Sequence, residues 1–311
     1  MNDRCIFLTG ASGFVGGALL SKLPAEQLRL FGRKDLDVAG VPFFKGEMIK
    51  GAKFLEALGN AKIVIHCAAR VHIMDDSACD SLIEYRAINT EGTLSLARQS
   101  AQAGVKRFIF LSTIKVNGES TSHRSPFTAF DKHSPEDDYG ISKSEAEEQL
   151  LALGSETGME IVIIRPPLVY GESVKANFAS LMKFVGKGFP LPFRFIKHNK
   201  RSLVSVYNLV DLIKVCIDHP RAVNQVFLVS DDDDLSTSQM VALMAKVQGK
   251  INFSLPVPVW CFKLAAAILK KEAVVERLVG SLQLDIEHTK KTLDWVPPYS
   301  VEHGFRLTAK K

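Results

Sequence analysis

The sequence predicts an α/β protein with a doubly wound parallel sheet and a smaller C-terminal α+β portion. Short apolar runs alternate with longer helical patterns through the first half of the chain. A glycine-rich turn joins the first run to the first helical pattern, and the alternation stops near Gly171. Strands separated by helices at this spacing pair in parallel with right-handed crossovers.

The predicted strands are apolar on both faces, as strands buried inside a parallel sheet are. They are CIFLT (5–9), LRLF (28–31), KIVIHCAA (62–69), RFIFLS (107–112) and EIVIIRP (160–166). Helical patterns lie between them, among them LIEYRAINTEGTLSLARQSAQAG (82–104) and the run that begins at Tyr139.

The second half is mainly helical, with only two short strand-like pieces, SLVSV and QVFLVS. We therefore divide the chain into residues 1–170 and 171–311. Ligands of open α/β sheets bind at the carboxyl edge, so the second portion is predicted to close over a substrate there. Ser236 or Thr237 is the predicted N-cap of the helix that follows the DDDD run.

The composition is that of a globular protein, with 46% apolar and 23% charged residues in 311. The net charge of +5 suits an anionic small substrate and is too diffuse to indicate nucleic-acid binding. Five scattered cysteines without a C-x-x-C pair predict reduced thiols in the cytoplasm and no metal site. No signal peptide is evident. The apolar stretch LPVPVWCFKLAAAILKK (255–271) is too short to span a bilayer. It is predicted to pack on the protein's own core, with contact to a membrane surface as the alternative.

The turn Gly10-Ala-Ser-Gly13-Phe-Val-Gly16 has the spacing of a dinucleotide-binding loop in a Rossmann-like sheet. Glycine lets the backbone turn sharply and approach a pyrophosphate, and the helix N-terminus supplies free N–H groups. After the second strand come Arg33 and Lys34, where NAD-binding proteins usually place an acid. A guanidinium there favours the 2′-phosphate of NADP(H), with NAD(H) as the alternative.

Tyr139 and Lys143 stand one helical turn apart in YGISK and can share one space. A neighbouring ammonium is expected to lower the pKa of the phenol, which makes it a better acid–base catalyst. The fourth strand ends in Ser112-Thr113, which offers a hydroxyl to orient a substrate oxygen. These residues predict proton transfer coupled to hydride transfer at a carbonyl or alcohol carbon.

The order of motifs resembles the extended short-chain dehydrogenase/reductases. Within them it is most similar to the nucleotide-sugar group, closest to UDP-N-acetyl-quinovosamine-type 4-ketoreductases and UDP-hexose 4-epimerases. The matching motifs are TGASGFVG (9–16), GE (46–47), HCAA (66–69), NTEGT (89–93), LSTIKVNG (111–118), YGISK (139–143), RPPLVYG (165–171), RSLVSVYNLVDLI (201–213) and TLDWVPPYS (292–300).

The resemblance implies roles at the matching positions. Thr113, Tyr139 and Lys143 would be catalytic, and Thr113, Asn177 and Arg201 would bind substrate. The cofactor would be held by Gly10, Ser12, Gly13, Phe14, Val15, Gly16, Arg33, Glu47, Met48, Ala68, Ala69, Asn89, Tyr139, Lys143, Pro166 and Val169. The resemblance also implies a UDP-sugar substrate and a homodimer formed through helices near 81–102 and 139–153.

Three functions stay open at this point. The first is reduction of the C4 keto group of a UDP-4-keto-6-deoxy-N-acetylhexosamine with NADPH, for surface polysaccharide. The second is a UDP-glucose or UDP-N-acetylglucosamine 4-epimerase, and the third is a non-catalytic dinucleotide-binding protein. Asn117 departs from the pattern common in the epimerases, which favours the reductase. Ile114 stands where the dehydratases place an acid, so dehydration is not expected.

Overall fold

The computed structural model describes residues 4–71, 81–174, 176–269 and 272–309. Within these residues, seven parallel strands form the main sheet in the order β3-β2-β1-β4-β5-β6-β9, and β7 pairs with β8 in parallel beside it. The strands are β1 Ile6–Thr9, β2 Leu28–Gly32, β3 Phe43–Lys45, β4 Ile63–His66, β5 Arg107–Leu111, β6 Glu160–Arg165, β7 Leu168–Tyr170, β8 Leu203–Ser205 and β9 Gln225–Leu228. The order reverses between β1 and β4, where ligands of such sheets bind. The predicted fold class is confirmed.

Helices cover both faces of the sheet and build the C-terminal lobe. They are α1 Phe14–Leu20, α2 Leu55–Leu58, α3 Ser81–Tyr85, α4 Thr93–Gln102, α5 Asp138–Thr157, α6 Ala176–Gly186, α7 Val206–Asp218, α8 Thr237–Val247, α9 Val259–Leu269, α10 Glu272–Val279, α11 Glu287–Leu293 and α12 Val301–Ala309.

The long helical pattern at 82–104 contains an irregularity. A π-helical segment, Arg86–Gly92, joins α3 to α4 without a break in helical backbone angles. Gly92 lies in it because a Cβ there would stand 2.4 Å from the carbonyl oxygen of Met48. Such wide turns often occur at functional sites.

The main sheet crosses the predicted boundary at residue 170. Its last strand, β9, pairs with β6 in the register Val162↔Gln225 to Arg165↔Leu228. Helix α7 packs against α1, and its buried Leu209, Leu212 and Ile213 belong to the core beneath the sheet. The portion 171–311 therefore supplies a strand and a helix to the sheet as well as the lobe. Apolar QVFL can reach the β6 edge because that edge is otherwise unpaired.

The lobe has a core of its own around Tyr170, Phe178 and Phe305, with the Tyr170 and Phe305 ring centroids 4.7 Å apart. Ser236 caps α8 in a capping box with Gln239, which confirms one of the two predicted caps. No helix of the described residues is long and apolar enough to cross a membrane.

Candidate active site

The predicted site residues gather where β1, β4, β5 and β6 end at the carboxyl edge of the sheet. The pairings Thr9↔His66, His66↔Phe110 and Leu111↔Ile164 align these strand ends in one row. The residues that follow, Gly10, Cys67, Ser112 and Pro166, consequently line one cleft.

The glycine turn is packed too tightly for side chains. Gly10 has a φ of +75°, and a Cβ on it would stand 2.6 Å from the backbone nitrogen of Ala68. A Cβ on Gly16 would stand 2.1 Å from the carbonyl oxygen of Gly10. Gly13 is the N-cap of α1, and no side chain caps the helix there. A pyrophosphate could therefore approach the bare turn, so these residues fit the phosphates of a dinucleotide.

Beside the turn, Ser12, Arg33 and Lys34 line one surface pocket. Both basic side chains are exposed. Phe14 and Val15 open α1, and the Phe14 ring lies 3.4 Å from where a Cβ on Gly171 would be. The pocket is where the ribose of an adenosine would lie next to the turn.

The Glu47–Met48 segment packs against the π-helical segment at Gly92. Met48 is buried and Glu47 is exposed. Ala68 and Ala69, both partly buried, continue from β4 toward Arg70.

Asn89, fully buried, holds the segment that follows β4. Its amide bonds both backbone groups of Arg70, at 2.8 and 3.0 Å, and donates to Ser142 Oγ at 3.0 Å. It therefore ties the strand end to α5, the helix that carries Tyr139 and Lys143.

His66, which sequence reasoning passed over, lies buried at the end of β4. Its Nδ1 is 2.6 Å from Thr9 Oγ1, and its Nε2 is 2.9 Å from Thr93 Oγ1. Burial, with the positive charge of Lys143 as a second cause, lowers the pKa of His66 to about 3. The imidazole is neutral and links three elements. A histidine inside an otherwise apolar strand is the sequence feature that could have indicated a buried, hydrogen-bonded side chain here.

Lys143 is 1% exposed. Its Nζ donates to the Leu111 carbonyl at 2.9 Å and lies 4.2 Å from the centroid of the Phe110 ring. Burial lowers the pKa of Lys143 to about 8, although Cys67 and Glu147 act to raise it. The ammonium is therefore fixed at the end of β5.

The expected lowering of the Tyr139 pKa is wrong for this structure. Burial raises that pKa, and the Asp137 carboxylate and the Tyr85 phenol, whose ring centroid lies 6.1 Å from that of Tyr139, raise it further. The Lys143 ammonium donates to the Leu111 carbonyl. Tyr139 is thus a neutral phenol that can donate a proton.

The two hydroxyls at the end of β5 differ in their partners. Ser112 donates to the Glu147 carboxylate, in a contact buried inside the protein. Within the part of the chain that the structure describes, the Thr113 hydroxyl accepts one long bond, from the Lys115 backbone N–H at 3.3 Å. Thr113 therefore has more bonding capacity left than Ser112, and its role toward a substrate stays a prediction.

Behind the site lies a buried ionic network that the sequence did not predict. Arg165, from β6, donates to both oxygens of Glu147 on α5, with Nε 3.0 Å from each. Its other nitrogens contact Asn117 Oδ1 at 2.9 Å and His133 Nε2 at 2.6 Å. Glu147 follows Lys143 by one turn, so the network fixes the rotation of the catalytic helix. The network also gives a structural reason for an asparagine at position 117, since its amide oxygen accepts a hydrogen bond from Arg165.

The remaining predicted residues are spread around the cleft. Pro166 is buried and accepts from the Ile114 backbone at 3.0 Å, and Val169 lies in β7. Asn177 is in α6, but its side chain is outside the described residues.

Arg201 lies in the lobe, where its Nη1 donates to the Gly280 carbonyl at 3.3 Å. Burial and nearby Arg277 lower its pKa. Arg277, which the sequence analysis missed, faces Glu119 at 3.7 Å. The carboxylates of Glu119 and Glu276 act on the Arg201 pKa in the opposite direction.

The parallel sheet and the bare glycine turn define a dinucleotide-binding enzyme. Residues 6–230 match the NAD dependent epimerase/dehydratase family. The chain belongs to this family of nucleotide-sugar enzymes, and the resemblance seen in the sequence is confirmed.

Two curated relatives align over almost the whole chain. A UDP-glucose 4-epimerase of Vibrio cholerae is 52% identical over 99% of this chain and 95% of its own. An N-acetyl-alpha-D-glucosaminyl-diphospho-ditrans,octacis-undecaprenol 4-epimerase of Escherichia coli O157:H7 is 30% identical over the same shares, 99% and 95%. A solved UDP-glucose 4-epimerase of Thermotoga maritima, with UDP-glucose, has a TM-score of 0.78 at 21% identity, covering 98% and 97% of the two chains. This last likeness concerns the fold.

Proposed function

We propose that the protein inverts C4 of a UDP-hexose, such as UDP-glucose or UDP-N-acetylglucosamine. The observation that carries the proposal is the 52% identity to a UDP-glucose 4-epimerase along nearly the full length of both chains. It favours the second of the three functions over the keto reduction that the sequence analysis preferred. Asn117 no longer counts against an epimerase, because its amide is engaged by Arg165.

The bound dinucleotide would supply the acceptor and donor of the C4 hydride. The residues that would hold it are those of the glycine turn, the Arg33 pocket and the Met48 segment. Tyr139 is a neutral phenol in this structure and would have to ionise when substrate and dinucleotide bind. As a phenolate it would take the proton from the C4 hydroxyl and return it after inversion, and Thr113 would hold the same oxygen in line. Lys143, protonated below a pKa of about 8, would favour the phenolate when the proton leaves.

The lobe would bind the nucleotide diphosphate through Arg201 and Arg277. The guanidinium of Arg201 is partly buried and donates to the Gly280 carbonyl, which would help to hold it in place for the substrate. Two opposed positive charges lose their mutual repulsion when a diphosphate lies between them. In this proposal residues 1–170 hold mainly the cofactor, and 171–311 mainly the substrate.

A reductase that uses NADPH is the second candidate, and the pocket of Ser12, Arg33 and Lys34 favours it. Two exposed basic side chains beside the turn would attract a 2′-phosphate. Arg33→Ala should then weaken NADP(H) much more than NAD(H) in titrations of both cofactors. Equal losses of affinity for both cofactors would show that Arg33 does not bind the 2′-phosphate. NAD(H), the cofactor in the name of the family, would then be the expected one.

One paired assay separates the two candidates. UDP-glucose or UDP-N-acetylglucosamine without added cofactor should give C4-inverted product, because an epimerase retains its dinucleotide. A UDP-4-keto-6-deoxy-N-acetylhexosamine with NADPH should give no NADPH loss. Consumption of NADPH in the second reaction without product in the first would refute the epimerase and establish the reductase.

We also propose that the protein is a homodimer through α4 and α5. The apolar side chains Leu94, Leu96 and Ala97 are buried within the chain itself, so they no longer argue for a partner. The support that remains is the family resemblance. A monomer by light scattering at micromolar concentration would contradict the proposal.

A further inference from the structure

Helix α9 exposes an apolar face that the sequence analysis expected to be buried. Trp260, Leu264 and Ile268 follow one another at intervals of four residues, and they are 65%, 55% and 72% exposed. The opposite side of the helix packs on the lobe, where Ala266 is 4% exposed and the Phe262 ring stacks on Phe193. The helix therefore covers its own lobe with one side only.

More exposed apolar side chains surround this helix. The backbone of Leu191 bonds that of Phe253 and of Leu255, which brings the segment after α6 against the segment before α9. Nine of the eighteen exposed large apolar side chains of the described residues belong to residues 173–205 and 235–271. They are Phe184, Phe189, Phe195, Ile251, Phe253, Leu255, Trp260, Leu264 and Ile268. We call the surface of these two segments the apolar–basic face.

The sequences of these two segments carry charge of one sign, although acidic residues border them at Glu172, Glu272 and Glu302. Residues 173–205 and 235–271 contain twelve Lys or Arg and no Asp or Glu, which leaves 27 basic against 34 acidic residues in the rest of the chain. The exposed ones include Lys183, Lys187, Arg194, Lys250 and Lys263. Lys246 is neutralised by Glu302 at 2.7 Å. The net positive charge of the protein is thus concentrated in these two segments of the sequence.

We propose that the apolar–basic face docks on an anionic lipid surface. Exposed aromatic and aliphatic side chains among lysines and arginines are the composition of interfacial membrane-binding segments. A second copy of the chain fits poorly, since a two-fold interface would bring two such positive faces together. A nucleic acid would use the charge, but it would leave Leu264, Ile268 and Ile251 in water.

The geometry suits contact in the plane of the bilayer. Helix α9 has 11 residues and can lie flat with Trp260, Leu264 and Ile268 among the acyl chains. Lys263, exposed on the same helix, and Arg194, whose backbone bonds Leu255 at 3.2 Å, would reach lipid phosphates with their long side chains.

Vesicle sedimentation tests the proposal with the full-length protein. It should pellet with vesicles that contain 40% phosphatidylglycerol in phosphatidylcholine and stay in solution with pure phosphatidylcholine vesicles. The double variant Trp260→Ser/Ile268→Ser should bind the anionic vesicles at least about tenfold more weakly. The matched control Phe130→Ser, at a site 76% exposed outside the face, should bind like the unchanged protein. Equal binding by all three proteins, or no binding by any, would overturn the proposal.

Tryptophan emission provides a readout that does not depend on partitioning. Trp260 is exposed, whereas Trp295 is 4% exposed and donates to Asp211 at 2.9 Å. Vesicles with brominated acyl chains should quench about half of the emission, because they reach only Trp260. No quenching would refute insertion. A loss of self-association in the double variant, without any vesicle effect, would identify a second copy as the partner and also overturn the proposal.

Discussion

The catalytic edge of the sheet buries polar side chains, whereas the apolar–basic face of the lobe exposes apolar ones. At the edge, Ser112, Glu147 and Arg165 are buried and hydrogen bonded to one another. On the face, apolar side chains such as Trp260 and Ile268 are exposed. A buried network whose groups are all hydrogen bonded holds side chains in one geometry, which a reaction requires. Exposed apolar surface is still in contact with water, so a partner that covers it would gain binding free energy.

The largest expected effect is on kcat, when the proton-exchanging group at the catalytic edge is removed without a change in packing. Tyr139→Phe should lower kcat about 1000-fold, because the ring still packs near Tyr85 and no proton can be exchanged with the C4 oxygen. Calorimetry should show UDP-sugar binding nearly unchanged. Tyr299→Phe, remote from the cleft, is the control. A Tyr139→Phe enzyme with more than about a tenth of the original kcat would assign the proton to another group.

Removing a charge from the network should cost stability rather than binding. Glu147→Ala leaves buried Arg165 without its carboxylate, and we expect a loss of about 3–5 kcal/mol in urea unfolding. Glu148→Gln is the matched control, since Glu148 is the next residue and contacts His133 with a side chain 66% exposed. It should change stability by less than about 1 kcal/mol. Similar losses for both variants would mean that burial of the pair is unimportant.

The buried imidazole should make the edge sensitive to acid. The pKa of His66 is about 3 in the folded protein, against the ordinary value of 6.5, so the unfolded chain binds the extra proton in between. Stability should therefore fall as the pH drops below about 6.5, by about 1.4 kcal/mol per unit. His66→Gln keeps a hydrogen-bonding group without this titration, so its stability should fall by about 2 kcal/mol less between pH 6.5 and 5. If the free energies of unfolding of the two proteins, measured with urea, fell equally between pH 6.5 and 5, the low pKa of His66 would be contradicted.

The smallest effect is expected on the face. Trp260→Ala should change the free energy of unfolding by less than about 1 kcal/mol, because that side chain is 65% exposed. Trp295→Ala, the same substitution at a buried tryptophan, should cost about 3–5 kcal/mol. A large loss at Trp260 would show that it supports the lobe and would weaken the contrast between the two regions.

Local patterns in the sequence predicted the sheet strands β1, β2, β4, β5 and β6 and the Ser236 cap because period and cap chemistry are short-range. Pairings over long sequence separations were not predictable in this way. In the sequence, Arg165 is the last residue of an apolar strand, and no neighbouring sequence feature indicates Glu147 or Asn117 as its partners. The pKa of Tyr139 was misjudged for the same reason, since Tyr85 approaches from another helix.

The face was misjudged for a different reason. The apolar content of α9 predicts burial, but a helix can bury one side and leave the other apolar side in solvent. Only the exposure of Trp260, Leu264 and Ile268 distinguishes the two cases. The side chain of Asn177 lies outside the described residues, so its predicted role stays a prediction.

The late arrival of β9 has a consequence for synthesis on the ribosome. Strand β6, ending at Arg165, has an apolar edge that pairs with Gln225–Leu228. Translation of the roughly 60 residues between them takes about 3–12 s, during which that edge has no native partner. An unpaired apolar edge strand can pair with other chains. The nascent protein is therefore expected to need a chaperone most in this interval, and slow codons between the two strands would lengthen it.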